Sequence, residues 1–472
     1  MSRTLIFSLL SLSLFTACAL PSAIPFSGEA PSSVPTGQRV PNPTKLPSAI
    51  PSDQADNRPF KPITGPGDIP VLSSFGGKIA YFSNRDQSPN HEGTGSLENE
   101  NAIPESQVAS PYLYENGISR RLGSYTVQSA ENLSMGFASN GKQLGYLIPE
   151  GNPYNLVLYM QNLDFTQLNR EGLPIGRKYD QTLPVYKQLL SMHVPRWGIS
   201  SKNILAVIKQ DRSGKSDIWV GKPGSSDLIQ VTQTERYNES SFQEIEEVIW
   251  SPDGSQIYFT MNLIGALPQG TLPYKHLVRI DRTGANQSVY PVPFPVRHIQ
   301  VSPDGNKLLF TGTDPTQNPI RDHLYTINKD GTGLTTLTQG RLGEHYWGKW
   351  SPDGSQIVYV NNTKDFQSLC TAPSAMFPPS SPEERRAAED YMNCRMAGEE
   401  LVMAKADGSQ FQQLTRNEAQ DTYPTWSPDG KYLAFTSKRD GNREIYVIKK
   451  DGSTPLNISQ NPSEDSRPVW GP

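Results

Sequence analysis

The sequence predicts an all-β fold, a seven-bladed β-propeller whose blades are four-stranded antiparallel sheets. Two observations carry this prediction. A phrase of the type Trp-Ser-Pro-Asp-Gly recurs at intervals of roughly fifty residues or more, which is the period of a propeller blade. Each copy is followed by an alternating apolar segment, and the last three copies are then followed by an Asp-Gly turn. The intact copies begin at Trp250, Val301, Trp350 and Trp426.

Each element of the repeat follows from its residues. Proline sets φ at the first corner of the turn, Asp bonds to nearby backbone N–H groups, and Gly accepts a positive φ. Alternation then predicts a second strand, as in 256–260 and 356–360. A third strand such as 444–448 ends in an Asp-Gly hairpin. Short edge strands that close the units are expected at 336–338, 413–415 and 457–459.

The end of the chain predicts how the ring closes. Residues Asp465 to Trp470 repeat the first strand of the preceding unit, Asp421 to Trp426, without the rest of a blade. We therefore expect this segment to join blade one and to close the ring. The recurring Trp is interpreted as packing between blades. The first three blades are degenerate copies, so six or eight blades are the alternatives to seven.

The repeat resembles that of TolB-like proteins. The run from Asp421 to Gly430, the segment 435–446 and the turn Asp451-Gly452 carry the resemblance. It is specific in the last four units and does not extend to the first 67 residues, where TolB proper carries a small α/β domain. The resemblance implies a propeller of the bacterial cell envelope.

Composition agrees with one large all-β domain. The 472 residues are 35% hydrophobic and 19% charged, with a formal net charge of −4. Nucleic-acid binding favours a concentrated basic surface, so this balance predicts no nucleic-acid partner. The 41 prolines and 38 glycines fit a fold with many turns.

The N-terminus is typical of a bacterial lipoprotein. Arg3 precedes an apolar run at 5–15 that is too short to span a membrane as a mature helix. Small residues before Cys18 resemble a lipobox, so residues 1–17 are predicted to be a signal peptide and Cys18 the lipidation site. Ordinary signal cleavage at a neighbouring alanine is the alternative.

The next segment, 18–67, is rich in Pro and Ser and is predicted to be a disordered tether. It precedes the propeller, which is assigned to residues 68–472. Acyl chains on Cys18 would hold the protein to a membrane. We therefore expect an exported protein that is lipid-anchored to the bacterial envelope and contacts the membrane through this anchor only.

Two further cysteines, Cys370 and Cys394, lie in one insertion at about 362–398. In an exported protein such a pair predicts a disulfide. A metal or catalytic role would need more ligands nearby.

Long insertions predict the binding face. They emerge opposite the Pro-Asp-Gly turns, where loops of variable length on a rigid ring form binding sites. This loop-rich face is expected to bind an envelope protein, or a peptide or glycan ligand. The insertions span about 86–109, 165–192, 262–273, 314–321 and 362–398.

Polar residues stand just before several innermost strands on this face, where they could converge at the mouth of the central channel. They are His193, His298, His345, Asp421 and Asp465. Three His and an acid could hold a transition metal, and the set resembles that of the manganese-dependent oligogalacturonate lyases, which also have seven blades. Their offsets from the phrase differ and no local motif surrounds the histidines. A polar channel lining is therefore favoured, and no metal or cofactor is predicted.

Motifs of nucleophilic hydrolases, phosphate-binding loops and zinc peptidases do not occur in the sequence. The favoured function is a noncatalytic binding or scaffolding propeller. The alternative is a metal-dependent polysaccharide lyase of the oligogalacturonate type. A third hypothesis is recognition of a small peptide or sugar in the channel.

Overall fold

The structure is a computed structural model. It describes residues 77–84, 108–115, 117–122, 127–128, 135–137, 141–149, 156–163, 171–174, 197–210, 216–223, 227–234, 236–238, 241–242, 244–262, 275–317, 320–362, 394, 398–417 and 419–471. The predicted signal peptide, Cys18, the tether, His193 and Cys370 lie outside these residues. No helix in the described part of the chain is long and apolar enough to cross a membrane.

The described residues form strands that group into blades. Blade 1 contains β1 (Lys78–Ser83), β2 (Val108–Glu115), β3 (Ile118–Arg121), β4 (Val127–Gln128) and β31 (Asp465–Gly471). Blade 2 contains β5 (Met135–Phe137), β6 (Gln143–Pro149), β7 (Leu156–Asn162) and β8 (Glu171–Pro174). Blade 3 contains β9 (Trp197–Ile199), β10 (Leu205–Gln210), β11 (Ser216–Gly221) and β12 (Ile229–Gln230). A separate hairpin pairs β13 (Arg236–Asn238) with β14 (Ser241–Phe242).

The four best-preserved repeats complete the ring. Blade 4 contains β15 (Ile245–Trp250), β16 (Gln256–Asn262), β17 (Lys275–Asp281) and β18 (Ser288–Val289). Blade 5 contains β19 (Val296–Val301), β20 (Lys307–Thr313), β21 (Asp322–Asn328) and β22 (Thr335–Thr336). Blade 6 contains β23 (Glu344–Trp350), β24 (Gln356–Asn362), β25 (Glu399–Lys405) and β26 (Gln412–Gln413). Blade 7 contains β27 (Asp421–Trp426), β28 (Tyr432–Ser437), β29 (Glu444–Lys449) and β30 (Leu456–Asn457).

The sheet topology confirms the predicted seven-bladed propeller and its closure. In blades 2 to 7 the first strand is innermost, and the innermost strands of neighbouring blades pack against one another. The C-terminal strand β31 pairs antiparallel with β1, with Ile79 opposite Trp470. It thereby supplies the innermost strand of blade 1, so the two ends of the propeller domain share one sheet.

The Pro-Asp-Gly turns form as the residue types predict. The Ser251 hydroxyl donates to Asp253 Oδ1 over 2.6 Å, and the Gly254 amide donates to the Ser251 carbonyl over 2.9 Å. Gly254 has a φ of 66°, a left-handed conformation that Gly adopts without strain. The hydroxyl–carboxylate bond recurs in the turns of blades 5, 6 and 7.

The recurring Trp packs between blades, as predicted. Trp250 Nε1 donates to the Gly198 carbonyl of blade 3 over 3.0 Å. Trp426 Nε1 donates to the Lys349 carbonyl of blade 6 over 3.3 Å. Gly198 lies directly beside the indole, since a Cβ added to it would be 3.5 Å from the Trp250 ring, an ordinary van der Waals contact.

The predicted edge strands are displaced. Strand β22 ends at Thr336 rather than Thr338, and β26 and β30 end early in the same way. Beyond β22 a side chain continues the hydrogen bonding, because the Leu324 amide donates to the Thr338 hydroxyl over 3.1 Å. The hydroxyls of Thr415 and Ser459 accept the equivalent amide bonds in blades 6 and 7.

Candidate functional site at the channel mouth

The innermost strands of blades 5, 6, 7 and 1 share an irregularity near their first residues. The pairing register shifts there, as in a β-bulge. One half-buried residue in each strand has a positive φ of 53° to 57°, a conformation that is strained for residues other than Gly. These residues are His298, Trp347, Tyr423 and Arg467.

The four side chains form a continuous series along the channel wall, which we call the aromatic arc. Trp347 Nε1 donates to His298 Nε2 over 2.9 Å. Because an indole N–H only donates, His298 Nε2 must be an unprotonated acceptor, and its Nδ1 lies 3.4 Å from the Thr311 hydroxyl. The bond joins blade 5 to blade 6.

The arc continues into blades 7 and 1. The Trp347 and Tyr423 rings stack with centroids 4.5 Å apart and an interplanar angle of 25°. The Arg467 guanidinium carbon lies 5.3 Å from the centroid of the Tyr423 ring, within cation–π range. The arc therefore brings aromatic rings, an imidazole and a guanidinium together near the first residues of four innermost strands.

Blade 4 has Glu247 at the position equivalent to the arc residues. Glu247 is fully buried, and its Oε1 accepts a hydrogen bond from the Ile299 amide over 2.9 Å. Burial raises the pKa of Glu247 to about 8, against the opposing effect of the Lys349 charge. The carboxyl group is therefore largely protonated at neutral pH.

The predicted site residues separate into two groups. His298 belongs to the aromatic arc. His345, Asp421 and Asp465 are each 0% exposed, and each lies at a different junction between neighbouring blades. The structure therefore does not bring these three side chains together, and His193 lies outside the described residues.

The junction of blades 6 and 7 shows what the buried acids do. Asp421 Oδ2 accepts hydrogen bonds from Asn417 Nδ2 over 2.7 Å and from Arg439 Nη2 over 2.8 Å. Glu400 accepts a bond from the Thr415 hydroxyl, and burial raises the pKa of Glu400 to about 7. The Asn417 amide donates to Glu400 Oε1 over 2.5 Å, so Asn417 ties the third strand of blade 6 to the first strand of blade 7.

The same network recurs at the junction of blades 7 and 1. The Ser459 hydroxyl donates to Glu444, and Asn461 Nδ2 donates to Asp465 Oδ2. The Asn461 amide also donates to Glu444 Oε1 over 3.0 Å. Burial raises the pKa of Glu444 to about 6. The recurrence of one network in two junctions indicates a role in the stability of the ring.

At the junction of blades 5 and 6, histidines occupy the two acid positions. His323 Nδ1 lies 3.1 Å from the Thr338 hydroxyl, and the rings of His323 and His345 stack. Burial, together with the neighbouring His323 and Arg341 charges, lowers the pKa of His345 to about 3. Both rings are therefore neutral at physiological pH.

Clusters of metal ligands are absent from the described residues. No group of three or more His, Cys, Asp or Glu side chains there could hold a metal ion. Cys394 is disulfide-bonded. Its pairing with Cys370 stays a prediction, because Cys370 is not among the residues described.

Sequence reasoning found His298 but missed the other members of the arc. Trp347, Tyr423 and Arg467 stand at the same distance before their phrases as His298 does before Val301. Aligning the units on the phrase would have found this column. The prediction instead grouped residues by their ionisable character, which mixed two structurally different positions.

Comparisons with known proteins agree with the fold. Residues 365–472 match the family described as the TolB beta propeller domain. No curated protein matches the chain in sequence.

Several solved structures are similar at low identity. TolB from Acinetobacter baumannii is 13% identical with a TM-score of 0.44, over 85% of this chain and 68% of that one. Oligogalacturonate lyase from Vibrio parahaemolyticus is 13% identical with a TM-score of 0.46, over 72% of this chain and 82% of that one. The propeller domain of the Trilobed protease from Pyrococcus furiosus is 9% identical with a TM-score of 0.48, over 75% of this chain and 91% of that one. The described residues therefore form a seven-bladed β-propeller, and residues 365–472 match the TolB beta propeller domain.

Proposed function

We propose that this protein is a noncatalytic binding propeller of the bacterial cell envelope, which holds a protein partner or a peptide or glycan ligand at the loop-rich end of its channel. The aromatic arc is the observation that carries the proposal. Four residues from four blades keep a strained backbone conformation at one level of the channel. Strained residues of this kind concentrate at functional sites.

The chemistry of the arc fits a polar ligand with flat or apolar groups. Trp, Tyr and Arg dominate the binding energy of interfaces, since they combine a large contact area with hydrogen-bond donors. The long insertions favour a binding site at the same end of the channel. The insertion at about 262–273, for example, joins the end of β16 to the start of β17, close to the first residues of the innermost strand β15.

Crosslinking in intact envelopes, followed by binding measurements with the purified partner or ligand, tests the proposal. We expect Trp347→Ala and Arg467→Ala each to weaken binding by about tenfold or more. The matched control is Phe411→Ala, which removes an aromatic residue that is 57% exposed beside the outer strand of blade 6. Binding that tolerates both arc variants but is lost in the control would contradict a site at the channel mouth.

The alternative function, a metal-dependent polysaccharide lyase, makes a separate prediction. It requires stoichiometric manganese or zinc in the purified protein, lost in His298→Ala and His345→Ala. In the structure, His298 Nε2 accepts the Trp347 indole N–H, and His345 lies in a blade junction. Metal analysis together with an assay on oligogalacturonate distinguishes the two functions.

A further inference from the structure

A cavity of about 470 Å³ opens between blades 4 and 5, on the face of the Pro-Asp-Gly turns. Its walls include Tyr258 and Arg279 of blade 4 and Lys329 of blade 5, together with the turns of both blades. This volume lies within the range of small-molecule sites. The cavity lies at the opposite end of the strands from the aromatic arc, so it is independent of the proposed function.

The repeats themselves show that this junction is exceptional. Tyr258 and Arg279 lie opposite each other on β16 and β17. The equivalent pairs in the next three blades are buried, and most of their members are aliphatic. They are Leu309 with Thr326, Val358 with Met403, and Ala434 with Val447. Only blade 4 of these four places a phenol and a guanidinium at this level.

The guanidinium of Arg279 is held in place at the wall of the cavity. Its Nη1 donates to the Lys329 carbonyl over 2.9 Å, which fixes the side chain across the junction. The guanidinium also donates to the Tyr290 hydroxyl, and its Nε is buried. Its positive charge favours a carboxylate, which accepts charge-assisted N–H bonds. The exposed Lys329 side chain adds a second positive charge at the rim.

Two acids also line the cavity, and they restrict the charge of a ligand. Asp253 accepts the Ser251 hydroxyl over 2.6 Å and the Ser255 amide over 3.1 Å. These bonds lower the pKa of Asp253 to about 2, and bonds within its own turn lower the pKa of Asp304. Both carboxylates are therefore ionised at neutral pH. They disfavour a dianion and leave room for one negative charge beside Arg279.

We propose that this cavity binds the carboxylate of a small monoanionic ligand, with the carboxylate on the Arg279 guanidinium and the body of the ligand against Tyr258. The carboxylate belongs either to a free small acid or to the C-terminus of a short peptide. No covalent step is involved.

Calorimetric titration of the full chain tests the site with four probes: N-acetylalanine, its amide, an acetylated tripeptide with a free C-terminus, and the amidated tripeptide. We expect each carboxylate to bind about tenfold or more tightly than its amide, since the neutral amide loses the charge-assisted bonds. Tighter binding of the tripeptide acid assigns the site to peptide C-termini, and equal binding assigns it to small acids. Inorganic phosphate should bind more weakly than either acid.

Variants test whether binding depends on the cavity residues or only on the positive charge of the surface. Arg279→Gln should abolish the preference for the carboxylates, and Lys329→Gln should weaken binding severalfold. Arg282→Gln and Lys450→Gln are matched controls, because these exposed cations occupy the equivalent hairpins of blades 4 and 7. If Arg279→Gln does not fold, Lys329→Gln decides the question. Equal affinity for acid and amide, or full binding by both cavity variants, would overturn the proposal.

Discussion

His323 and His345 stack across the junction of blades 5 and 6 with their ring centroids 5.7 Å apart. They replace the acids that hold the next two junctions together. Because two adjacent imidazoles cannot both take a proton in a buried site without a large cost, this junction should be the acid-sensitive one in the ring.

The first prediction concerns acid stability. The pKa of His345 is about 3 in the folded chain, below the ordinary histidine value of 6.5. Its contribution to stability is therefore complete above pH 6.5 and falls away as the pH drops toward 3, by at most about 4 kcal/mol. Urea denaturation at several pH values should show this loss, and His345→Gln should flatten the profile. An unchanged profile in the variant would contradict it.

The second prediction concerns the junction of blades 6 and 7. Asp421→Ala leaves the Arg439 charge without its carboxylate in a buried network, so unfolding should become easier by about 3 kcal/mol. Thermal unfolding measures the effect. Asp330→Ala, in an exposed hairpin, is the control and should change stability by less than about 0.5 kcal/mol. Similar effects of both substitutions would argue against a structural role for the network.

The third prediction concerns the contact between blades 3 and 4. Trp250→Phe removes the indole N–H that donates to Gly198 and part of the buried ring. The lost hydrogen bond and the new cavity should together cost about 2 kcal/mol. Calorimetric unfolding provides the measurement, with Trp426→Phe expected to cost less because its bond is longer, at 3.3 Å. If Trp426→Phe cost more stability than Trp250→Phe, packing rather than the hydrogen bond would determine the loss.

The fourth prediction concerns closure. Deleting residues 465–472 removes the innermost strand of blade 1 and exposes the edge of β1. We expect loss of cooperative unfolding and aggregation, as judged by calorimetry and light scattering. Deleting Pro472 alone is the control. A truncated protein that melts like the full chain would contradict closure through β31.

The fifth prediction concerns the anchor. Cys18→Ser removes the predicted lipidation site, so the protein should move from the membrane fraction to the soluble fraction of lysed cells. Immunoblots of both fractions provide the measurement. Tight membrane association of the variant would show that the protein is retained by some other means.

The seven-bladed ring could be predicted from the sequence because each turn depends on residues that are close together in the chain. Ser251, Pro252 and Gly254 each act within a few residues, so the pattern is visible in one copy and its repetition gives the blades. The arc is different. A positive φ at Trp347 or Tyr423 has no signature in the residue type, since bulges at residues other than Gly are imposed by the surrounding sheet.

The junction networks were hidden for another reason. Glu400 and Asp421 belong to different blades, and their proximity follows only from how the sheets pack. An isolated acid before a strand looks the same whether it faces a channel or a neighbouring blade. Position relative to the repeat, rather than ionisable character, separates Asp421 from Tyr423 two residues later.

The pairing of β1 with β31 also sets the order of events during synthesis. The Glu464 amide donates to Asn84 Oδ1, a contact between residues 380 positions apart. Strand β1 therefore has no inner neighbour until residues 465–471 have left the ribosome. Contacts between such distant residues make folding slow, and the unpaired edge of β1 is prone to aggregation in the meantime. A nascent chain of this design depends on being kept unfolded, or shielded, until its last strand arrives.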